Sequence, residues 1–94
     1  MIGEFCLVRT RNAGVHCGIL KEISGTACVL TTARRVWRWR GANTLHELSI
    51  YGAMQEWTRI SEPVESILLT EAIEVIPCTK IAVKNLSKER WSKQ

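Results

Sequence analysis

Aspartate is missing from this chain, and all nine of its acidic residues are glutamates. Also missing are a glycine-rich phosphate loop, a Gly-x-Ser-x-Gly elbow and a His-Glu-x-x-His helix, the arrangements that most directly announce catalysis. Cys17 adjoins His16, but neighbours in an extended segment point to opposite faces, which makes them a poor nucleophile–base pair. The expectation is a protein that is not an enzyme. No Cys-x-x-Cys pair occurs, and Cys6, Cys17, Cys28 and Cys78 sit in apolar or alternating segments. Buried reduced thiols acting as small hydrophobes are expected. His16 and His46 are isolated in sequence, so neither a metal nor a cofactor is expected. No apolar run approaches the roughly 18–20 residues of a membrane span, and Met1–Arg9 lacks the charged start and long apolar middle of a signal peptide. The reading is intracellular, away from membranes.

What is present fits one domain, residues 1–94. A chain this short buries about 60–65% of what its unfolded form exposes, so homo-oligomer formation is expected to supply further burial. Hydrophobic residues at 46% and charged residues at 23% are ordinary globular values and argue against disorder. No internal repeat or low-complexity segment is visible.

The net charge of +4 is less informative than its placement. No acidic residue lies between Glu22 and Glu47, whereas Arg34, Arg35, Arg38 and Arg40 all do. Without those four arginines the remaining basic and acidic residues balance. The positive excess is therefore a local feature rather than a general property of the chain.

Alternation and turn residues suggest an antiparallel meander. Glu4–Arg11 reads as a strand with Phe5, Leu7 and Arg9 on one face and Cys6 and Val8 on the other. Asn12-Ala13-Gly14 turns the chain into Val15–Ile23, and Ser24-Gly25 turns it again into Thr26–Thr31. Arg34–Arg40 is a further extended candidate. Thr44-x-x-Glu47 has the form of a capping box for a short helix reaching about Tyr51, with Leu45, Leu48 and Ala53 facing inward and Gly52 as its stop. Gln55–Pro63 is polar and reads as a loop. Val64–Pro77 supplies one or two closing strands. Cys78–Leu86 suggests a terminal helix with Ile81, Ala82 and Leu86 on one stripe, and Trp91 either docks on a neighbour or frays. The fold class is α+β: a small antiparallel sheet or partly closed barrel of five or six strands, with one short internal helix and a C-terminal helix.

In Arg34–Arg40 the alternation groups Arg35, Trp37 and Trp39 on one side, and Arg34, Val36, Arg38 and Arg40 on the other. Guanidiniums form bidentate pairs with phosphates, and indoles stack on nucleobases. The expected ligand site comprises Arg34, Arg35, Trp37, Arg38, Trp39 and Arg40. Thr31 adds a hydroxyl, His16 a hydrogen-bonding contact and Arg9 an extension of the positive surface. The competing explanation places the tryptophans in the core and pairs the arginines with glutamates such as Glu71 or Glu74. Another makes the segment a protein interface anchored by tryptophan and arginine.

The segments Ala13-Gly14-Val15 with Gly18, Leu30-Thr31 leading to Ala33-Arg34-Arg35, Trp37 and Trp39, Gly41-Ala42 ahead of Leu45 and Leu48, and Leu69-Thr70-Glu71-Ala72-Ile73-Glu74 carry a resemblance. Between Arg9 and Thr79 the chain resembles a family of short, largely uncharacterised proteins of tailed phages and prophages. Relatives tend to read Trp-Tyr-Trp where this chain has Trp37-Arg38-Trp39, so its segment is more basic than usual. By analogy of size, β-rich build and Arg/aromatic surface, it is also similar to phage sponge proteins that sequester nucleotide signals of bacterial immunity. The resemblance implies a cytoplasmic homo-oligomer, in the infected bacterial host, that holds a nucleotide-like small molecule. A nucleic-acid-binding accessory protein and a structural or host-protein-interaction module are the alternatives.

Overall fold

A computed structural model describes residues 1–54 and 57–92, Arg90 by its backbone alone. Phe5–Thr10 (β1) and Val15–Ser24 (β2) form the first antiparallel hairpin. Its turn is held by Thr10, whose hydroxyl accepts from the Ala13 N–H and donates to the Gly14 carbonyl, both at 2.8 Å. Gly14 has a φ of 82°, a conformation that costs glycine little. After the turn at Gly25, Ala27–Arg38 (β3) runs as one twelve-residue strand. The expected strand ending at Thr31 and the extended Arg34–Arg40 segment are therefore parts of one element. Thr32, with a φ of 49°, marks the local irregularity between them.

The remaining strands are Arg59–Ile60 (β4), Val64–Leu69 (β5) and Ala72–Pro77 (β6). β2 pairs with one edge of β3; β5 and β4 lie along the other, opposite Cys28–Ala33 and Val36–Arg38 respectively. β6 pairs with β1. All pairings are antiparallel, and the order is β4-β3-β2-β1-β6 with β5 beside β3. Only Thr70 and Glu71 separate β5 from β6, although three strands stand between them in the sheet. A flat sheet would put them about 19 Å apart, beyond the reach of so short a connection. The sheet therefore curls, yet no β5–β6 ladder closes it among the described residues. It is an open six-stranded sheet.

Curling creates two cores. Cys6, Val8, Leu20, Cys28, Leu30, Ala33 and Leu69 pack together from the strands alone. On the opposite face, Leu7, Cys17, Val36 and Ile60 pack under the helices Leu45–Tyr51 (α1) and Lys80–Leu86 (α2). Thr44 caps α1 as expected, accepting from the Glu47 N–H at 3.1 Å, but the Glu47 carboxylate reaches back to the Asn43 N–H rather than to Thr44. Gly52, with a φ of 80°, ends the helix. In α2 the cap is Thr79, so the helix starts later than expected. Ala82 and Leu86 define its buried face, while Ile81 is turned to solvent, contrary to the expected stripe. Trp91 docks in the core and donates its indole N–H to the Asn85 carbonyl at 2.6 Å.

The expected polar loop, of which Gln55 and Glu56 lie outside the described residues, contains β4 and two fully buried side chains, Thr58 and Ile60. A two-residue strand is too short to show alternation, which is why the pattern missed it.

Gly18 sits at a register shift in the β2–β3 ladder, where an added Cβ would lie 2.9 Å from the Thr31 carbonyl oxygen and 3.1 Å from Ala33 Cα. Because those atoms are backbone, relief requires moving a strand. Gly18→Ala is expected to destabilise the domain by about 1–3 kcal/mol in urea unfolding.

Candidate functional site

Pairing sets the facing of the basic segment. Arg34 lies opposite Cys17, Arg35 opposite His16 and Val36 opposite Val15. Arg34 and Val36 consequently point towards the helices and are buried, while Arg35 and Trp37 point outward. Arg34 retains only 5% exposure. Its Nε donates to the Ser61 carbonyl at 2.7 Å, and its Nη1 to the carbonyls of Leu86 and Lys88 at 3.1 and 2.9 Å. Nη2 is buried and has no hydrogen-bond partner among the described residues. Burial lowers the Arg34 pKa, and the charge of Glu89 is among the influences opposing that shift. This arginine ties β3 to the β4–β5 connection and to the end of α2, and it also lines two hollows, one with His16, Arg35 and Ile67 and one with Glu62, Ser87 and Glu89.

Past Val36 the simple alternation fails. The ladder to β4 shifts register between Val36 and Arg38, and the strand ends there. Arg38 does not join Arg34 and Val36 on their side. It is exposed, with its Cζ 5.5 Å from the Trp37 ring centroid and 5.2 Å from that of Trp57. Its Nε donates to the Trp57 carbonyl at 2.9 Å, which fixes the guanidinium beside both indoles. Arg40 is 5.9 Å from the Trp57 centroid. Trp37 and Trp57 are each 58% exposed. These cation–aromatic distances fall within the attractive range. Trp39 is half-buried and packs on the helix-side core, so it forms a wall rather than a free stacking surface.

Trp57 is the residue that pattern reading missed. Its φ of 70° is unusual for a bulky side chain. The available signal was a lone tryptophan in a polar stretch that offered no apolar face to bury it. Arg59, also outside the expected set, donates its Nη1 to the Thr58 carbonyl at 2.9 Å.

Among the described residues, at least two open depressions border Trp37. One, of about 360 Å³, is lined by the Asn12–Val15 turn, Arg35, Val36, Trp37 and Trp39. The other, of about 320 Å³, is lined by Trp37, Arg59, Ile60, Ser61, Glu62, Trp91 and Ser92. Arg35 also borders a third hollow, of about 310 Å³, with His16, Ala33, Ser61 and Ile67. Of the remaining expected residues, Thr31 lies in mid-strand between Ile19 and Ser66. Arg9 forms an ion pair with Glu74 at 3.4 Å on β1. Neither lines the hollows that Trp37 borders. His16 is buried beneath Arg35 and its Nε2 donates to the Ala13 carbonyl at 2.8 Å. Glu71 accepts from the Asn12 amide. Among the described residues, no carboxylate comes within ion-pair distance of Arg35, Arg38 or Arg40.

Among the described residues no cluster of histidine, cysteine and acidic side chains is gathered as for a metal. All four cysteines are unpaired. Burial pushes Cys17 and Cys78 up to about 12, which keeps both as thiols at neutral pH. No helix among the described residues is long and apolar enough to cross a membrane.

The model of a family described as a domain of unknown function, DUF6948, matches residues 3–86. The chain belongs to that family. The DUF6948 match takes in every strand and both helices, Trp37, Trp57 and all the arginines discussed above, and ends before Trp91. No curated protein and no solved structure matches this DUF6948 chain.

Two outcomes separate the buried from the exposed groups. Arg34→Met leaves three carbonyls without their donor and is expected to cost about 1–3 kcal/mol, whereas Arg35→Ala and Arg38→Ala should stay within about 0.5 kcal/mol in the same urea titration. Burial lowers the His16 pKa despite the opposing bond to Ala13. Its folded pKa therefore lies below its unfolded value, and the unfolded chain binds the proton more readily. The stability that depends on neutral His16 is full above about pH 6.5 and is lost as pH falls below it. His16→Gln should flatten that decline between pH 7 and pH 5.5, read from unfolding midpoints.

Proposed function

We propose that this domain is a non-enzymatic binding protein whose exposed Arg35–Arg40 face, completed by Trp57, holds a phosphate-bearing nucleotide. The observation that carries this reading is the Trp37–Arg38–Trp57 arrangement: two largely exposed indoles flank a guanidinium, and no carboxylate among the described residues pairs with it. A chain that buries Trp91 almost completely yet leaves two tryptophans in water has a surface that gains by being covered. Indole faces suit nucleobases and guanidiniums suit phosphates, so a nucleotide satisfies both.

The hollows are open, and a homo-oligomer that sets a second copy beside each would supply the missing wall. The sequence resemblance to proteins of tailed phages supports a narrower role. In the cytoplasm of an infected bacterium the domain would sequester a nucleotide immune signal without altering it. A specific observation also favours a second reading. Arg35, Arg38 and Arg40 are all exposed, and only Arg35 among them lines a hollow that Trp37 borders, an open arrangement that befits a single-stranded nucleic acid.

Calorimetry against cyclic oligonucleotides, cyclic ADP-ribose isomers and single-stranded oligonucleotides at two salt concentrations tests both. The sponge reading predicts a fixed stoichiometry per subunit. The strand reading predicts dependence on oligonucleotide length and a steep loss of affinity with salt. In either case Trp37→Ala should weaken binding by about fivefold or more, the equivalent of about 1–3 kcal/mol for a lost base stack. No heat with any of these compounds would defeat the proposal.

A further inference from the structure

Trp37 borders two hollows rather than one. Each lies at the lower end of the range of about 300–1,000 Å³ that ligand pockets occupy, so neither alone houses a ligand of several ring systems. Their linings are chemically alike in plan. Each places one arginine, Arg35 or Arg59, beside the shared indole, and each has a second aromatic residue, Trp39 or Trp91, in its lining. Each also offers a polar side chain suited to a base edge: Asn12 on one side and Glu62 on the other. A carboxylate next to Arg59 is ill placed for a phosphate but well placed to accept from an exocyclic amino group, as carboxylates do with cytosine. Arg38 lines neither hollow, but its Nε is bonded to the Trp57 carbonyl and its Cζ lies 5.5 Å from the centroid of the Trp37 ring that both hollows share.

We infer that the ligand is a dinucleotide unit, with Trp37 separating its two bases, one base in each hollow, and the phosphodiester that joins them meeting Arg38. This rests on the nucleotide-binding reading above and makes it narrower, since a single nucleotide fills only half of the site. The same unit occurs in a cyclic dinucleotide and in any two successive residues of a single strand.

The test compares a mononucleotide, a linear dinucleotide, a cyclic dinucleotide and a ten-residue single strand by calorimetry, on the wild type and on Trp37→Ala and Trp37→Phe. At least one dinucleotide-containing ligand should bind ten times or more tightly than the mononucleotide. Removing one base from the linear dinucleotide, as an abasic analogue, should abolish that gain. Trp37→Ala should bring its affinity down to the mononucleotide level, and Trp37→Phe should restore most of it. Because the side chain is exposed, circular dichroism of both variants should match the wild type. A preference for the cyclic compound assigns the source to a soluble signal; rising affinity with strand length assigns it to nucleic acid. Equal affinity for mononucleotide and dinucleotides would overturn the inference while leaving nucleotide binding intact. No binding of any nucleotide would overturn both.

Discussion

β3 is hydrogen-bonded along both edges, to β2 on one and to β5 and β4 on the other, and this double pairing decides which of its side chains meet water. A slip of one residue would exchange the two faces. Arg35 and Trp37 would be driven towards the helix-side core, and Arg34 and Val36 would be expelled from it. Arg34 opposes such a slip in particular, because three carbonyls are positioned to receive its guanidinium and a buried charge without them is costly. The buried arginine and the exposed ones thus have complementary tasks. By holding Ser61, Arg34 anchors the strand connection that follows Arg59, and with it one wall of the second hollow. By holding the carbonyls of Leu86 and Lys88, it fixes the approach to Trp91.

The charge distribution gives the face its character. Glutamates elsewhere are drawn into local contacts, Glu74 with Arg9, Glu71 with Asn12 and Glu47 with the start of α1. At the end of β3 the guanidiniums are instead placed beside indoles. A guanidinium over an indole keeps its charge and several of its donors, since the ring's attraction is weaker than a carboxylate's and leaves the hydrogen-bonding edge free. An incoming phosphate therefore has no carboxylate to displace among the described residues. Charge gathered at an exposed edge also raises the encounter rate with anions and makes it sensitive to salt.

Much of this architecture was legible in the amino-acid order. The first hairpins follow from alternation and from Asn12-Ala13-Gly14 and Ser24-Gly25, α1 from Thr44 and Gly52, and the two closing strands from the β-branched run before Pro77. The local concentration of arginine was visible in the charge count. Facing was not, because period-two alternation groups side chains without saying which group is buried. Nor was the displacement of Arg38, which depends on a register shift against a strand only two residues long. Trp57 joins the face through tertiary placement and an uncommon backbone conformation, neither of which leaves a periodic trace. Ile81 faces solvent because the buried stripe of α2 is narrow: Ala82 and Leu86, four residues apart, fill it, and Ile81 lies about 100° round the helix from Ala82.

The account's central claim is that Trp37 and Trp57 form the surface that meets the ligand, while Trp91 is a core anchor. The four tryptophans give four indole N–H resonances, so the most direct measurement is a nitrogen-edited spectrum recorded while a linear dinucleotide is added. The Trp37 and Trp57 signals are expected to move in a saturable way, and that of Trp91, whose indole N–H is bonded to the Asn85 carbonyl, to move less. A spectrum in which the Trp37 signal does not move at saturating dinucleotide would contradict it.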